Sequence, residues 1–452
     1  MSNYTKSFLA VLLITELLML SVHFRYAGIF LGLSLLGGVV YSFYNRNIGG
    51  TFMIAWIIGF SPLVVFIRPF IFFESGYTMI TIVVIILAFF TMKKELNRAI
   101  SNKNIFFILL FFIIFVAVGI IEGVKVGYFI KTIELGTTLV LISMLLYFPE
   151  YRAFAMRNFI YSSIAIYIVM FPNIANRFAT PTEVGWVIGG DPSGPASLLV
   201  ISLIFLLLDQ GKLIMFKRDS KILLGLTIVV FILLFLSTSR TNMISMLFAL
   251  IFYGINNRAD FLKYFLVMLA MLTLSFTILD DKYFNTIEKF YVKKLDTSHR
   301  SLNQVTTSRF VQWQVGLHYL DTAPLLDVLL GYGPNSRGFL HDEGKNYVKD
   351  FGYVHGSEKA YVIHTLYLKL AVEYGIIAFS IFMYVLLRAA YVNFKLYLKK
   401  QEMLLYFTIA YMFSIMGNAG MSVIGGIFMA FIFAGPKIFN KKYLIYDERM
   451  KI

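Results

Sequence analysis

Arg240 stands between two apolar runs, "FILLFL" and "MISMLFALIFYG", in the short polar gap Ser237-Thr238-Ser239-Arg240-Thr241-Asn242. No acidic residue neighbours it there. A guanidinium at the mouth of an apolar helix is costly unless it snorkels to an interface or meets an anion. The second reading is a fixed cation for phosphate. Three hydroxyls precede the arginine, and the free N–H groups at the start of the following helix favour anions. The planar guanidinium fork suits phosphate oxygens.

Arg309 repeats the arrangement at the head of "RFVQWQVGLHYL", with Ser308 placed to cap the helix. Read alone, it is equally a surface arginine. His364 heads "HTLYLKLAVEYGII", in which Tyr367, Leu368, Ala371 and Val372 follow at helical spacing. A histidine held there is either structural or a general base working near neutral pH. Arg177, Arg337 and Arg68 are further arginines on the same predicted side, each also readable as a loop or snorkelling charge. His299, His318, His341 and His355 show no metal-ligand spacing, and neither a GxxxxGK[ST] phosphate loop nor an Asp-x-Asp pair occurs. No metal site and no cofactor are expected.

These residues need elements to position them, and composition says which. Of 452 residues 59% are apolar and only 14% charged, whereas soluble domains are nearer half apolar and a quarter charged. The apolar residues fall in blocks of about 15–23, the length that crosses a bilayer as helix. Continuous runs, without alternation, exclude a β-barrel. The absence of cysteine excludes disulfides and thiolate chemistry.

The fold expected is all-α, a single polytopic membrane domain over 1–452 with about 12–14 transmembrane helices. Hydropathy places spans near 5–22, 27–44, 51–72, 76–92, 104–121, 132–148, 158–172, 195–209, 221–236, 241–255, 262–279, 375–393, 403–418 and 420–437. The first block reads as a retained span, since no small-residue cleavage site follows it. Lysine and arginine crowd one set of connections, such as "KKELNRAISNK", "YRAFAMR", "GKLIMFKRDSK" and "RAAYVNFKLYLKK". That side is therefore cytoplasmic, with both termini inside. The net charge of +15 is thus a topology signal, and nucleic acid is not an expected partner. Two long segments fall outside: a Gly/Pro-rich loop over 173–194 and a large loop over 280–374. Within the latter, "FNTIEKFYVKKL" and "SRFVQWQVGLHYL" have helical spacing and read as short amphipathic helices over the membrane domain.

In order, these pieces resemble the bacterial O-antigen polymerase and O-antigen ligase family of envelope glycosyltransferases. "GGDPSGPASLLV" looks like the family's turn before a span, although Asp191-Pro192-Ser193 lacks the usual Asn. "STSRTNMIS" matches its S-x-S-R turn. The large loop carries Ser-Arg, Trp313, Pro324 and a closing Gly331-x-Gly333-Pro334, and "HTLYLKLAVEYGIIA" is close to its His-x-x-Tyr-Leu … Glu-x-Gly segment. The resemblance covers roughly 170–395.

It implies a GT-C-like, metal-independent glycosyltransferase at the outer face of the bacterial cytoplasmic membrane, polymerising lipid-linked repeat units of O-antigen or capsule type. Donor and acceptor are polyprenyl-diphosphate-linked glycans, with membrane lipid and a chain-length regulator protein as further partners. Arg240 and Arg309 would hold the diphosphate and His364 would orient or deprotonate the acceptor hydroxyl. Arg177, Arg337, Arg68 and Tyr367 are candidate substrate contacts. A ligase acting on a lipid core, and a flippase of the same glycan, are the alternatives.

Overall fold

A computed structural model describes residues 3–22, 36–44, 47–63, 76–121, 130–178, 193–208, 220–236, 240–258, 309–331, 366–399, 403–417 and 423–438, with a few isolated residues besides. Among these residues the secondary structure is helical and no strand occurs. The helices are α1 (Asn3–Val22), α2 (Asn47–Gly59), α3 (Gly76–Thr91), α4 (Lys93–Ile100), α5 (Lys103–Ile121), α6 (Ile130–Leu145), α7 (Pro149–Phe178) and α8 (Ser193–Leu208). They continue as α9 (Ser220–Leu236), α10 (Arg240–Asn256), α11 (Arg309–Thr322), α12 (Leu325–Leu330), α13 (Leu366–Leu398), α14 (Met403–Gly417) and α15 (Val423–Ile438). The expected helix near 27–44 is described over 36–44, where it is helical, while those near 262–279 and "FNTIEKFYVKKL" lie largely or wholly outside the described residues.

Against the expectation of about fourteen spans, one described helix, the 33-residue α13, is by itself long and apolar enough to cross a membrane. Seven shorter apolar stretches of 10–17 residues accompany it. Two connections expected between spans are helical instead. "KKELNRAI" forms α4, because Leu96 and Ala99 recur at i, i+3 and are buried while its lysines face outward. α4 meets α5 at 87°. "YRAFAMR" lies inside α7, which begins at Pro149, where the missing N–H and fixed φ of proline suit a first helical turn.

Side-chain ties between helices give several of them their direction. The Tyr397 hydroxyl donates to the Phe252 carbonyl at 2.9 Å, and the Tyr253 and Tyr406 rings lie 6.0 Å apart. The end of α10 therefore lies beside the end of α13 and the start of α14. Tyr367 donates to the Met412 carbonyl at 3.2 Å, so α13 starts beside the later part of α14. It follows that α10 and α13 begin at one end of the bundle, here called upper.

Ser197 donates to Asn242 Oδ1 at 2.9 Å, which brings the start of α8 to that end. Thr132 Oγ1 lies 3.3 Å from the Tyr374 hydroxyl and Thr78 donates to Glu134 at 2.9 Å. These contacts bring the starts of α6 and α3 there as well. At the lower end Asn102 Nδ2 donates to the Phe433 carbonyl at 2.9 Å, joining the start of α5 to the end of α15. Lys93, Lys94, Lys103, Arg152, Lys395 and Lys399 belong to this lower end.

Between the ends, apolar helices pack closely. Phe205, Phe407 and Phe431 form a buried aromatic cluster, with Phe407 and Phe431 stacked at 4.5 Å. α15 approaches α6 at Gly426, where an added Cβ would lie 2.8 Å from the Leu135 carbonyl oxygen. Gly426→Ala must push these two helices apart, and overpacking of this kind costs about 1–3 kcal/mol. The expected outcome is a lower midpoint of thermal unfolding in detergent, with Gly225→Ala unchanged as the control because nothing lies within 4 Å of a Cβ there.

Candidate functional site

Arg240 is the first residue of α10 and Arg309 the first residue of α11. Neither helix carries an acidic residue in its first turn. A helix start bears partial positive charge, so a cation there is opposed by about 0.3–1 kcal/mol, whereas a carboxylate would be favoured. Both helices therefore open on an arginine rather than on the acidic residue their dipole favours. An external anion relieves that repulsion and also satisfies the free N–H groups of the first turn.

α10 begins at the upper end. α11 lies against the first turns of α13, where Gly316 faces Leu368 so closely that an added Cβ would sit 2.7 Å from Leu368 Cδ2. Arg309 stands seven residues before Gly316, about 10 Å along the helix. Asn242, one turn from the start of α10, is 1% exposed and anchors that start to α8 through Ser197. The cation-bearing helix ends are thus set on a rigid frame.

His364 lies outside the described residues, two positions before α13 begins at Leu366. Arg68 and Arg337 also lie outside them. Arg177 occupies the last turn of α7, whose 30 residues reach about 45 Å from the lower end. Tyr367 is half-buried, and its hydroxyl is engaged with the Met412 carbonyl. Of the sequence-derived candidates, the structure places the start of α10 and the first turns of α13 at the upper end, with Tyr367 tied into the bundle, while α11, headed by Arg309, packs through Gly316 on Leu368 of those turns.

Two features escaped the sequence reading. The first is Glu134, 1% exposed, which accepts from Thr78 while Thr137 bonds both Thr81 and the Glu134 carbonyl. Its signal was present as a lone carboxylate within "TIELGTTLVLISML"; only loop carboxylates were weighed.

The second is a contact between two glycines. Gly331 (φ 86°) follows α12, and Gly375 (φ 78°) breaks α13 into two pieces. Each backbone lies directly on the other. A Cβ on Gly331 would fall 2.5 Å from the Gly375 nitrogen, and one on Gly375 would fall 2.5 Å from the Gly331 nitrogen. With ψ of 161° and 163°, both occupy a region open essentially to glycine alone. The first glycine of the Gly-x-Gly-Pro motif and the glycine of Glu-x-Gly thus meet in one structural object, a clamp fastening α12 to the kink of α13. Beside it, Tyr374 reaches Thr132 and stacks on Phe111 at 5.5 Å, and Lys369 pairs with Glu373 at 3.6 Å.

Gly331→Ala and Gly375→Ala should each free α11 and α12 from α13 at a strain cost of about 1–3 kcal/mol, before the backbone clash is counted. The chain lacks cysteine, so limited proteolysis or single-cysteine labelling at Leu326 can follow the release without background. The expected outcome is faster cleavage within 309–331 in both variants, with the rest of the bundle protected.

Residues 224–383, which run from within α9 through the clamp and into the second piece of α13, match a family model described as O-antigen ligase. No curated protein matches the chain. The matched segment contains both arginine-headed helix starts and both clamp glycines, and it supports a relation of this part of the chain to the O-antigen ligase/polymerase family.

Proposed function

We propose that this protein is a polytopic membrane enzyme that polymerises oligosaccharide repeat units carried on polyprenyl diphosphate. The observation that carries the reading is that Arg240 and Arg309 each head a helix within the family-matched segment. The membrane part of the reading is supported by alternating helix directions and by basic residues gathered at one end. Large apolar side chains on the periphery, such as Phe90, Ile113, Leu247 and Tyr384, each more than half exposed, suit lipid rather than water. On α11 and α12, Trp313, Leu317, Leu325, Leu326 and Leu330 are likewise exposed and would face the bilayer interface.

In this reading the acceptor hydroxyl oxygen attacks the anomeric carbon of the donor glycan. The bond from that carbon to the diphosphate oxygen breaks, and the lipid diphosphate leaves with the bonding electrons. Arg240 and Arg309, with the adjacent backbone N–H groups, meet the charge that develops on it. His364, just before α13, takes the hydroxyl proton. The repulsion between each arginine and its helix dipole disappears once the anion binds.

Reconstituted protein supplied with lipid-linked repeat units should lengthen them without added nucleotide. Arg240→Lys and Arg309→Lys lose the bidentate fork and should each lower the rate roughly 10²–10³-fold. His364→Ala should lower it roughly 10²–10⁴-fold while leaving insertion intact. Normal lengthening by all three variants refutes the site. Translocation of the lipid-linked glycan without lengthening refutes the enzyme in favour of a transporter.

The description of the matched family model favours one further reading, a ligase moving finished glycan onto a lipid core. A deletion strain separates the two. Loss of a polymerase leaves single repeat units on the anchor, whereas loss of a ligase leaves the anchor bare while polymer accumulates on its carrier.

A further inference from the structure

The right-angled elbow between α4 and α5 encloses, together with the second piece of α13, a groove of about 570 Å³ at the lower end. Two cations line it, Lys103 from the start of α5 and Arg388 from α13. Asn97 and Ser101 add polar donors, and Phe106 and Phe107, 49% and 44% exposed, form an apolar wall. Among the described residues no carboxylate lines this groove. The nearby Arg98 is directed elsewhere, over the Tyr147 ring at 4.0 Å.

The elbow is held in shape by Asn102, 4% exposed, whose Oδ1 accepts the Asn104 N–H at 3.1 Å and whose Nδ2 reaches the Phe433 carbonyl. α4 lies across α5 with Leu96 and Ala99 buried and its basic residues outward, the arrangement of a helix lying in a membrane interface.

We propose that this groove binds one anionic phospholipid of the leaflet at the lower end. The lipid phosphate sits between Lys103 and Arg388, and an acyl chain lies along Phe106 and Phe107. Charge complementarity selects the occupant: two cations without a counter-ion call for a net negative headgroup, and the aromatic wall calls for a hydrocarbon tail attached to it. Free phosphate would satisfy the cations and leave the wall unused. A protein partner would have to displace lipid from a face that opens beside the exposed Phe106, Phe107 and Leu387. The site is far from the arginine-headed helix starts, so the proposal depends on the membrane reading and not on the transfer chemistry.

Purified full-length protein in detergent, titrated with phosphatidylglycerol or phosphatidylcholine, tests it by native mass spectrometry of single-lipid adducts. Phosphatidylglycerol should bind preferentially, and the Lys103→Gln/Arg388→Gln variant should bind it about thirtyfold more weakly, as expected for two cations at a lipid surface. Lys93→Gln/Lys94→Gln, which removes the same charge outside the groove, should retain the preference. Inorganic phosphate at millimolar concentration should not displace the lipid. The melting temperature without lipid reports on folding, and the single variant Lys103→Gln replaces the double one if that temperature falls. Equal binding of both lipids, unaltered binding by the groove variants, or displacement by phosphate alone overturns the proposal.

Discussion

Apolar helices slide past one another at little cost, because leucine, isoleucine and phenylalanine offer no directional contact. What sets the register of this bundle is a small number of buried polar side chains, each of which loses free energy if its partner moves away. Thr78 on Glu134, Ser197 on Asn242, Asn393 on Thr408 and Asn102 on the Phe433 carbonyl each join two helices at one height. Tyr367 and Tyr397 do the same at the two ends of α13. Remove these ties and the helices would persist, since backbone bonding is internal to each, but their starts would no longer be held at one end.

The same logic explains the division of labour at the upper end. Arginines at the first residue of α10 and α11 oppose the dipoles of their own helices, a local conflict of the kind natural proteins retain where a ligand resolves it. The frame beneath them carries no such conflict. Asn242 is buried and bonded, α11 is seated on Leu368, and the Gly331–Gly375 clamp holds α12 at the kink. The buried ties and the glycine clamp thus support the helices whose first residues are proposed to meet the diphosphate.

Much of the fold was legible in the sequence. The helices at 103–121, 220–236, 240–256 and 403–417 fall within a few residues of the hydropathy blocks, because polar connections between apolar runs leave little freedom in where a helix stops. α4 was read as a connection because its charges dominate its composition, although Leu96 and Ala99 already carried the helical period. The starts of α10 and α11 were legible from the serine and threonine hydroxyls around Arg240 and Arg309. Glu134 is not legible from spacing alone, because its partner Thr78 lies 56 residues away in the chain.

Composition and spacing by themselves determined that the chain is helical, where its apolar blocks lie, and which arginines head a helix, since all three depend on neighbours within a turn or two. Only the tertiary structure decided which helix starts share an end, that Gly331 and Gly375 touch across a gap of more than forty residues in sequence, and that Lys103 meets Arg388 in one groove. The physical reason is that hydrophobic burial is non-directional. It tells a helix which face to hide, but not against which neighbour or at what height, and those choices rest on close backbone approach and on polar partners distant in the chain.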